Sequence, residues 1–232
     1  MSTTAVDRSE TTAAAEAAQT RSTPCADAAC RVLDVTIASL MLLILMPLMV
    51  AIAVAVRLDS PGPIFFRQRR VGRSLVPFTI HKFRTMRHGA SHDVHRTFVL
   101  GLISGHRPDG ADGKAAFKLS ADARVTRVGG ILRRTSLDEL PQLWNVIRGE
   151  MSLVGPRPPI PYEVEHYPSH WFARFDVKPG VTGLWQVSGR SAVTLEEMVR
   201  LDVEYVQRRS PWLNVWIILR TIPAVLSTRG AS

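Results

Sequence analysis

The chain of 232 residues has few cysteines and lacks a glycine-rich phosphate loop. Its two cysteines, Cys25 and Cys30, lie in the polar N-terminal segment, and their spacing matches no common zinc or redox motif. We therefore interpret both thiols as structurally idle and the compartment as reducing. No Gly-Lys-Ser or Gly-Lys-Thr sequence occurs, which disfavours a P-loop or kinase-like phosphotransferase.

Acidic residues are also scarce relative to basic ones. Lys and Arg number 29 against 20 Asp and Glu, so the formal net charge is +9. This excess indicates an anionic partner: nucleic acid, a membrane surface or a phosphorylated small substrate. The hydrophobic fraction of 46% is enough for the core of one domain of ordinary size.

The N-terminal segment, residues 1–30, contains no aromatic residue and shows no amphipathic period, which predicts a disordered tail. By contrast, residues 35–56 form a run of 22 residues without a charge, long enough to cross a bilayer core of ~30 Å as a helix. We predict a membrane-inserted helix over 31–57. Pro47 removes one backbone hydrogen bond, so the helix is expected to bend or break there. A kinked span and a re-entrant pair of half-helices both remain open.

Flanking charge predicts the orientation of this helix. The segment 57–87 carries eight basic residues against one acid, whereas the chain up to Asp34 carries three arginines and five acids. The positive-inside tendency then keeps residues 58–232 in the cytoplasm, beside the nucleotide pools.

The remaining sequence predicts an α+β fold that is mostly helical with a small β-hairpin. Two short strand patterns, IFFRQRRVG and PFTIHKFRTM, surround a turn at Gly72-Arg73-Ser74. Near the C-terminus, residues 210–226 form a mostly apolar stretch that is short for a second span, which favours an amphipathic helix docked at the membrane interface. Residues 87–120 hold His88, His92 and His95, but no downstream ligand cluster completes a zinc site, and we interpret them as a mobile loop of unassigned function.

The run RRTSLDELPQLWNV, residues 133–146, holds the strongest candidates for chemistry. Ser136 followed by Glu139 resembles a capping box, and Pro141 is tolerated only in a first turn, so a helix is expected to begin close to Asp138. A helix N-terminus with arginines nearby favours phosphate binding. A carboxylate beside phosphate needs a cation, which implies Mg²⁺ at Asp138 and Glu139 and makes Asp138 a plausible nucleophile toward phosphorus.

Further ligand candidates lie downstream of this run. Arg157 belongs to a rigid Gly-Pro-Arg-Pro segment. The glycine-punctuated run FDVKPGVTGLWQVSGR contributes Lys178, Gln186 and Arg190, whose basic and amide groups are typical of ligand contacts.

Four runs resemble the bacterial sugar transferase family, the monotopic polyprenyl-phosphate phosphoglycosyl transferases: PGPIFFRQRRVG, FTIHKFRTM, RVTRVGGILRRTSLDELPQLWNVIRGEMSLVGPRP and VKPGVTGLWQVSGR. The resemblance covers about residues 31–226 and is most specific in the long third run. It implies the compact form of the family, without the additional N-terminal membrane domain of larger relatives, and it favours the re-entrant topology.

The resemblance also implies a reaction and roles for individual residues. A sugar 1-phosphate passes from a UDP-sugar to undecaprenyl phosphate, UMP is released, and Mg²⁺ is required. Asp138 matches the nucleophile of a covalent phospho-sugar intermediate, and Glu139 matches its partner in metal binding or positioning. Arginines matching phosphate ligands are Arg133 and Arg157, while Lys82 and Arg84 lie in the family's Lys-Phe-Arg-Thr motif. The expected setting is the bacterial inner membrane, where the enzyme initiates exopolysaccharide, capsule, O-antigen or glycoconjugate synthesis.

A competing interpretation is a non-catalytic basic membrane adaptor, which binds anionic lipid or nucleic acid through Arg67 to Arg73 and has no need for Asp138. Under the leading hypothesis the partners are the two substrates and membrane lipid, with no nucleic acid. The sequence leaves the transferred sugar and the assembly state open, a homodimer included.

Overall fold

A 36-residue helix, α1, Pro24–Asp59, opens the part of the chain that the structure describes. The computed structural model describes residues 24–87, 124–189 and 193–226, and between the first two ranges residues 89, 97, 99–101 and 103. Residues 24–30 are thus helical, which corrects the predicted tail boundary at residue 30. The interpretation of Cys30 as idle is also corrected, because its side chain is buried and its thiol accepts a hydrogen bond from Asn214 Nδ2 at 3.5 Å.

Helix α1 continues through Pro47 without interruption. Proline removes only the hydrogen bond to the carbonyl of Leu43, and the helical residues on both sides keep theirs, so the predicted break does not occur at the level of secondary structure. Among the described residues, α1 is the one helix long and apolar enough to cross a membrane. The side chains near its middle are exposed, Leu43 by 69% and Ile44 by 64%, as expected of a surface that meets lipid.

The β-hairpin that the sequence predicts is confirmed. Strand β1, Phe65–Val71, pairs antiparallel with β2, Pro77–Phe83, and the register places Lys82 opposite Phe66. Two residues of β2 are buried, Ile80 at 2% and Phe83 at 1% exposure, and they lie on opposite faces of the strand. The hairpin is therefore packed against the body through β2, whose last residues lead into the candidate site.

The rest of the described chain is mostly helical, which confirms an α+β fold with little sheet. A second, parallel pair joins β3, Ser152–Val154, to β4, Gly180–Thr182. The remaining helices are α2, Arg127–Thr135; α3, Gln142–Arg148; α4, Pro161–Val164; α5, Leu184–Ser188; α6, Leu195–Arg208; and α7, Pro211–Leu226, with short 3₁₀ turns at Arg73–Leu75, Leu137–Glu139 and Ser169–Asp176. The predicted loop 87–120, with His88, His92 and His95, lies largely outside the described residues.

Both ends of α1 are attached to this body. Near the first end, Asp34 Oδ1 accepts a hydrogen bond from the backbone N–H of Leu153 at 2.9 Å. At the other end, Asp59 Oδ2 accepts one from the N–H of Val128 at 3.0 Å, at the start of α2. The helix is thus tied to the same folded unit at its two ends, while its middle presents apolar side chains outward.

Helix α7 has one buried face and one exposed apolar face. Ile217 is fully buried in the main core, whereas Trp212 is 82% exposed and Leu219 is 61% exposed. Arg220 lies over the ring of Trp216 at 5.3 Å. An exposed face of Trp and Leu beside a cation is typical of a helix at a membrane interface, and docking of α7 at the membrane stays a prediction.

Candidate active site

The end of the hairpin and the turn after α2 meet at one ion pair. Lys82 Nζ donates to Glu139 Oε1 at 2.5 Å, and the two side chains are 23% and 31% exposed. These residues are 57 positions apart in the chain. The fold therefore brings together two of the residues that the sequence marks as candidates, and it leaves both accessible to a ligand.

The turn that carries Asp138 and Glu139 differs from the predicted helix start. Ser136 adopts a left-handed conformation, with φ 57° and ψ 16°, and its N–H closes the C-terminus of α2. The two carboxylates then lie in a 3₁₀ turn, Leu137–Glu139, and α3 begins only at Gln142, after Pro141. Ser136 precedes this 3₁₀ turn at the N-cap position, but its side chain makes no capping hydrogen bond, so the predicted capping box is wrong, and the α-helix predicted to begin close to Asp138 begins at Gln142. The reason is that Pro141 takes the N-cap position itself, where a missing N–H is harmless.

Arg84 and Arg133 have structural partners. The Arg84 guanidinium is buried and donates to the carbonyl and the hydroxyl of Ser60, at 2.6 and 3.0 Å. Burial is the main cause that lowers its pKa, followed by Arg57. Arg84 thus closes the C-terminus of α1, a position where a cation is favourable. Arg133 Nε donates to Thr85 Oγ1 at 2.9 Å, which holds the last turn of α2 against the end of the hairpin.

Two buried arginines donate hydrogen bonds to backbone carbonyls of the loop that carries Arg157. Arg174 donates to the carbonyl of Arg157 at 2.9 Å, and Arg70 donates to the carbonyl of Pro158 at 2.9 Å. The Arg157 side chain is 29% exposed and lies 3.7 Å from Glu163. Burial and the nearby charge of Arg157 lower the pKa of Arg70 to about 10, against the opposing charges of Glu163 and Glu139. The charges of Arg157 and Glu139 therefore both influence the pKa of Arg70, in opposite directions.

Gln186 and Glu139 line the same cleft. This cleft has a cavity volume of about 130 Å³ and is bounded by α1, α3, α5 and α7. The structure thus groups Glu139, Lys82 and Gln186 around one opening.

Lys178 and Arg190 are not part of this group as described. Lys178 lies beside Gly149, together with Arg31, past the C-terminal end of α3. The two carboxylates precede the N-terminal end of α3, so they and Lys178 lie at opposite ends of this helix. A rise of 1.5 Å per residue gives a separation of roughly 15 Å between them. Burial, and then the charge of Arg31, lower the pKa of Lys178. Arg190 lies outside the described residues.

Sequence reasoning missed two residues that position the site. Asn145 is fully buried and donates to the carbonyl of Thr79 and to Glu150 Oε2, each at 2.7 Å, while its Oδ1 accepts from the N–H of His81 at 3.2 Å. These hydrogen bonds hold β2 against α3, and one of them is made at His81, the residue directly before Lys82. The available signal was a lone amide inside the apolar run LWNVI. The second is Arg174. Its buried partner Asp202 is 28 residues away, so no short sequence pattern indicates this pair.

The two adjacent carboxylates form a donor set that fits Mg²⁺. Within the described ranges, no group of three or more His, Cys, Asp and Glu residues could hold a metal by itself. Mg²⁺ does not need such a group, because it binds through one or two carboxylates and completes its shell with water and substrate phosphate. Asp138 and Glu139 are consecutive in one turn, and both are partly exposed, which is suitable for an ion that is shared with a substrate.

Comparisons with known proteins agree on one family. The sequence profile described as "Bacterial sugar transferase" matches residues 25–228. The chain is 43% identical over 202 residues to the galactosyl transferase CpsE of Streptococcus agalactiae, which covers 87% of this chain and 43% of that protein. It is 42% identical to the exopolysaccharide production protein ExoY of Rhizobium meliloti, over 87% of both chains. It is also 42% identical to the UDP-glucose:undecaprenyl-phosphate glucose-1-phosphate transferase of Caulobacter vibrioides, over 87% of this chain and 71% of that protein.

Proposed function

This chain belongs to the bacterial sugar transferase family, and from that premise we propose that it transfers a sugar 1-phosphate from a UDP-sugar to undecaprenyl phosphate and releases UMP. The names of the relatives from Rhizobium meliloti and Caulobacter vibrioides support this reaction and a place at the start of exopolysaccharide synthesis. The observation that carries the proposal is the exposed Asp138-Glu139 turn, which Lys82 holds at the mouth of a cleft beside the long apolar helix.

The proposed chemistry uses Asp138 as the nucleophile. A carboxylate oxygen of Asp138 attacks the phosphorus that bears the sugar, the bond from this phosphorus to the bridging oxygen breaks, and UMP leaves with the electron pair. An oxygen of the lipid phosphate then attacks the same phosphorus, and the bond to Asp138 breaks, which restores the carboxylate. Lys82 keeps Glu139 in place during both steps. Arg157, held by its backbone, binds a substrate phosphate.

We propose that Asp138 and Glu139 hold Mg²⁺ together with the substrate. The ion would offset the negative charge of the diphosphate, so that an anionic nucleophile can approach phosphorus. Lys82 contributes a positive charge beside Glu139 and restricts the orientation of that carboxylate.

We propose that α1 bends at Pro47 without losing its helical structure, so that it enters the membrane from the cytoplasmic face and returns to it with Pro47 near the deepest point. The attachment of both ends of α1 to the same folded unit, through Asp34 and Asp59, supports this topology. The exposed apolar middle of the helix supports insertion, and the excess of basic residues after it supports a cytoplasmic body. The phosphate of the lipid substrate then lies at the same interface as the carboxylates.

The test of this function uses purified protein, undecaprenyl phosphate and a panel of UDP-sugars, with UMP release as the readout. Asp138→Asn is expected to abolish turnover, whereas the matched control Asp176→Asn, an exposed Asp on the 3₁₀ turn Ser169–Asp176, keeps it. Mass analysis of wild-type protein quenched after exposure to the UDP-sugar alone is expected to find a phospho-sugar adduct on the Asp138 peptide. Turnover retained by Asp138→Asn would exclude the nucleophile, and no UMP from any donor would favour the basic membrane adaptor.

A further inference from the structure

The cleft next to Glu139 is apolar over most of its wall. Met41 of α1, Leu143 of α3, Val181 and Val187 line it, and none of the described lining residues carries a positive charge. A diphosphate would need cationic partners to leave water. The cleft is therefore unsuited to the nucleotide part of the donor.

The two threonine hydroxyl groups in the wall are already engaged. Thr182 Oγ1 and Thr221 Oγ1 lie 2.8 Å apart, and Thr221 Oγ1 donates to the carbonyl of Ile217 at 2.8 Å. The other polar side chains of the lining are Ser136 and Glu139, just before the carboxylate turn and in it, and Gln186 of α5. A sugar ring needs several hydrogen-bond partners when it is buried. Because the threonine hydroxyls are satisfied within the protein, the wall away from the carboxylate turn suits an apolar chain better than a sugar.

The cleft is continuous with the surface that faces lipid. Met41 is flanked on α1 by Leu40 and Leu43, which are 54% and 69% exposed. On the other wall, Thr221 has Leu219 and Ile222 as neighbours on α7, exposed by 61% and 55%. The cleft thus lies between two helices that both carry exposed apolar residues next to their lining residues.

We propose that this cleft receives the first isoprene units of the lipid acceptor, and that the acceptor phosphate stays at its mouth near Lys82 and Glu139. The inference rests on the proposed function. It assigns Met41 and Val187 as residues that bind the acceptor chain. It also separates the acceptor chain from the donor phosphates, which the proposed function assigns to Arg157.

The experiment narrows the cleft from two opposite walls with Met41→Trp and Val187→Trp. Both side chains are only partly buried, so a larger group can extend into the open space. Val76→Trp in the turn of the hairpin is the matched control, since it adds the same bulk at a residue that is 62% exposed and does not line the cleft. Two readouts are taken in detergent: KM for undecaprenyl phosphate, and the single-turnover UMP burst from the UDP-sugar without lipid.

The cleft variants are expected to raise KM for undecaprenyl phosphate by about tenfold or more. The reason is that binding already weakens by about this factor when two CH₂ groups of the ligand are no longer buried. The UMP burst stays within about twofold of wild type, and the control changes neither readout. An unchanged lipid KM in both variants, or a burst that falls in parallel, would overturn the acceptor site. In wild-type protein, a benzophenone-bearing prenyl phosphate should label the peptides of Met41 or Val187, and labelling elsewhere would equally refute it. If the proposed function itself were wrong, the result would differ from these outcomes, because wild-type protein would then show no UMP burst at all.

Discussion

Removal of Arg174 tests how the loop of Arg157 is held. Arg174 Nη2 lies 2.5 Å from Asp202 Oδ2, and each side chain is 1% exposed. Arg174→Met leaves a carboxylate buried without its cation, a change that lowers the free energy of unfolding by about 3–5 kcal/mol. It also removes the bond from Arg174 to the carbonyl of Arg157, so we expect turnover to fall together with stability.

The destabilisation should depend on pH in a defined direction. Complete burial raises the pKa of Asp202 from 3.8 to about 6, and the charge of Arg174 opposes this rise. A carboxyl group with a raised pKa in the folded state contributes stability below pH 3.8, and this contribution is lost as the pH rises through about 6. Without Arg174 the pKa of Asp202 rises further, so the deficit of Arg174→Met is larger at pH 8 than at pH 5.

The measurement is chemical denaturation in detergent at both pH values. Arg200→Met is the matched control: its guanidinium is 67% exposed and pairs with Glu197 on the surface of α6, so the change should stay within about 0.5 kcal/mol. A second variant, Arg174→Met with Asp202→Leu, removes both charges and should recover most of the loss. A deficit below about 1 kcal/mol, or one that grows as the pH falls, would refute this reasoning.

Three further predictions concern the turn and its support. Asn145→Ala leaves buried partners without hydrogen bonds and should lower the free energy of unfolding by about 3 kcal/mol in the same assay; a loss under about 1 kcal/mol would show that β2 is held by other contacts. Lys82→Met frees Glu139 to move and should reduce kcat about a hundredfold, with partial recovery in Lys82→Arg; equal rates in all three proteins would contradict a positioning role. Ser136→Val places a β-branched residue at φ 57° and should destabilise by about 1–2 kcal/mol, whereas Ser136→Gly should not; identical midpoints would argue against the left-handed turn.

Local elements were predictable because their physical causes are local. A charge-free run of 22 residues forms α1, and strand patterns around Gly72 form the hairpin, in each case because neighbouring residues share one period or one polarity. The Asp138-Glu139 motif was also visible in the sequence, although its turn type was not. Ser136 closes α2 and Pro141 is the N-cap of α3, and both roles depend on how the two helices pack in the folded chain.

The sequence by itself determined which residue types are present for the chemistry, and that the N-terminal helix is apolar. Only the tertiary structure decided that Lys82 meets Glu139 across 57 residues, that Arg84 faces α1 instead of a ligand, and that Lys178 lies beyond the far end of α3. Such pairings depend on the packing of the whole chain around its core, and no short segment contains that information.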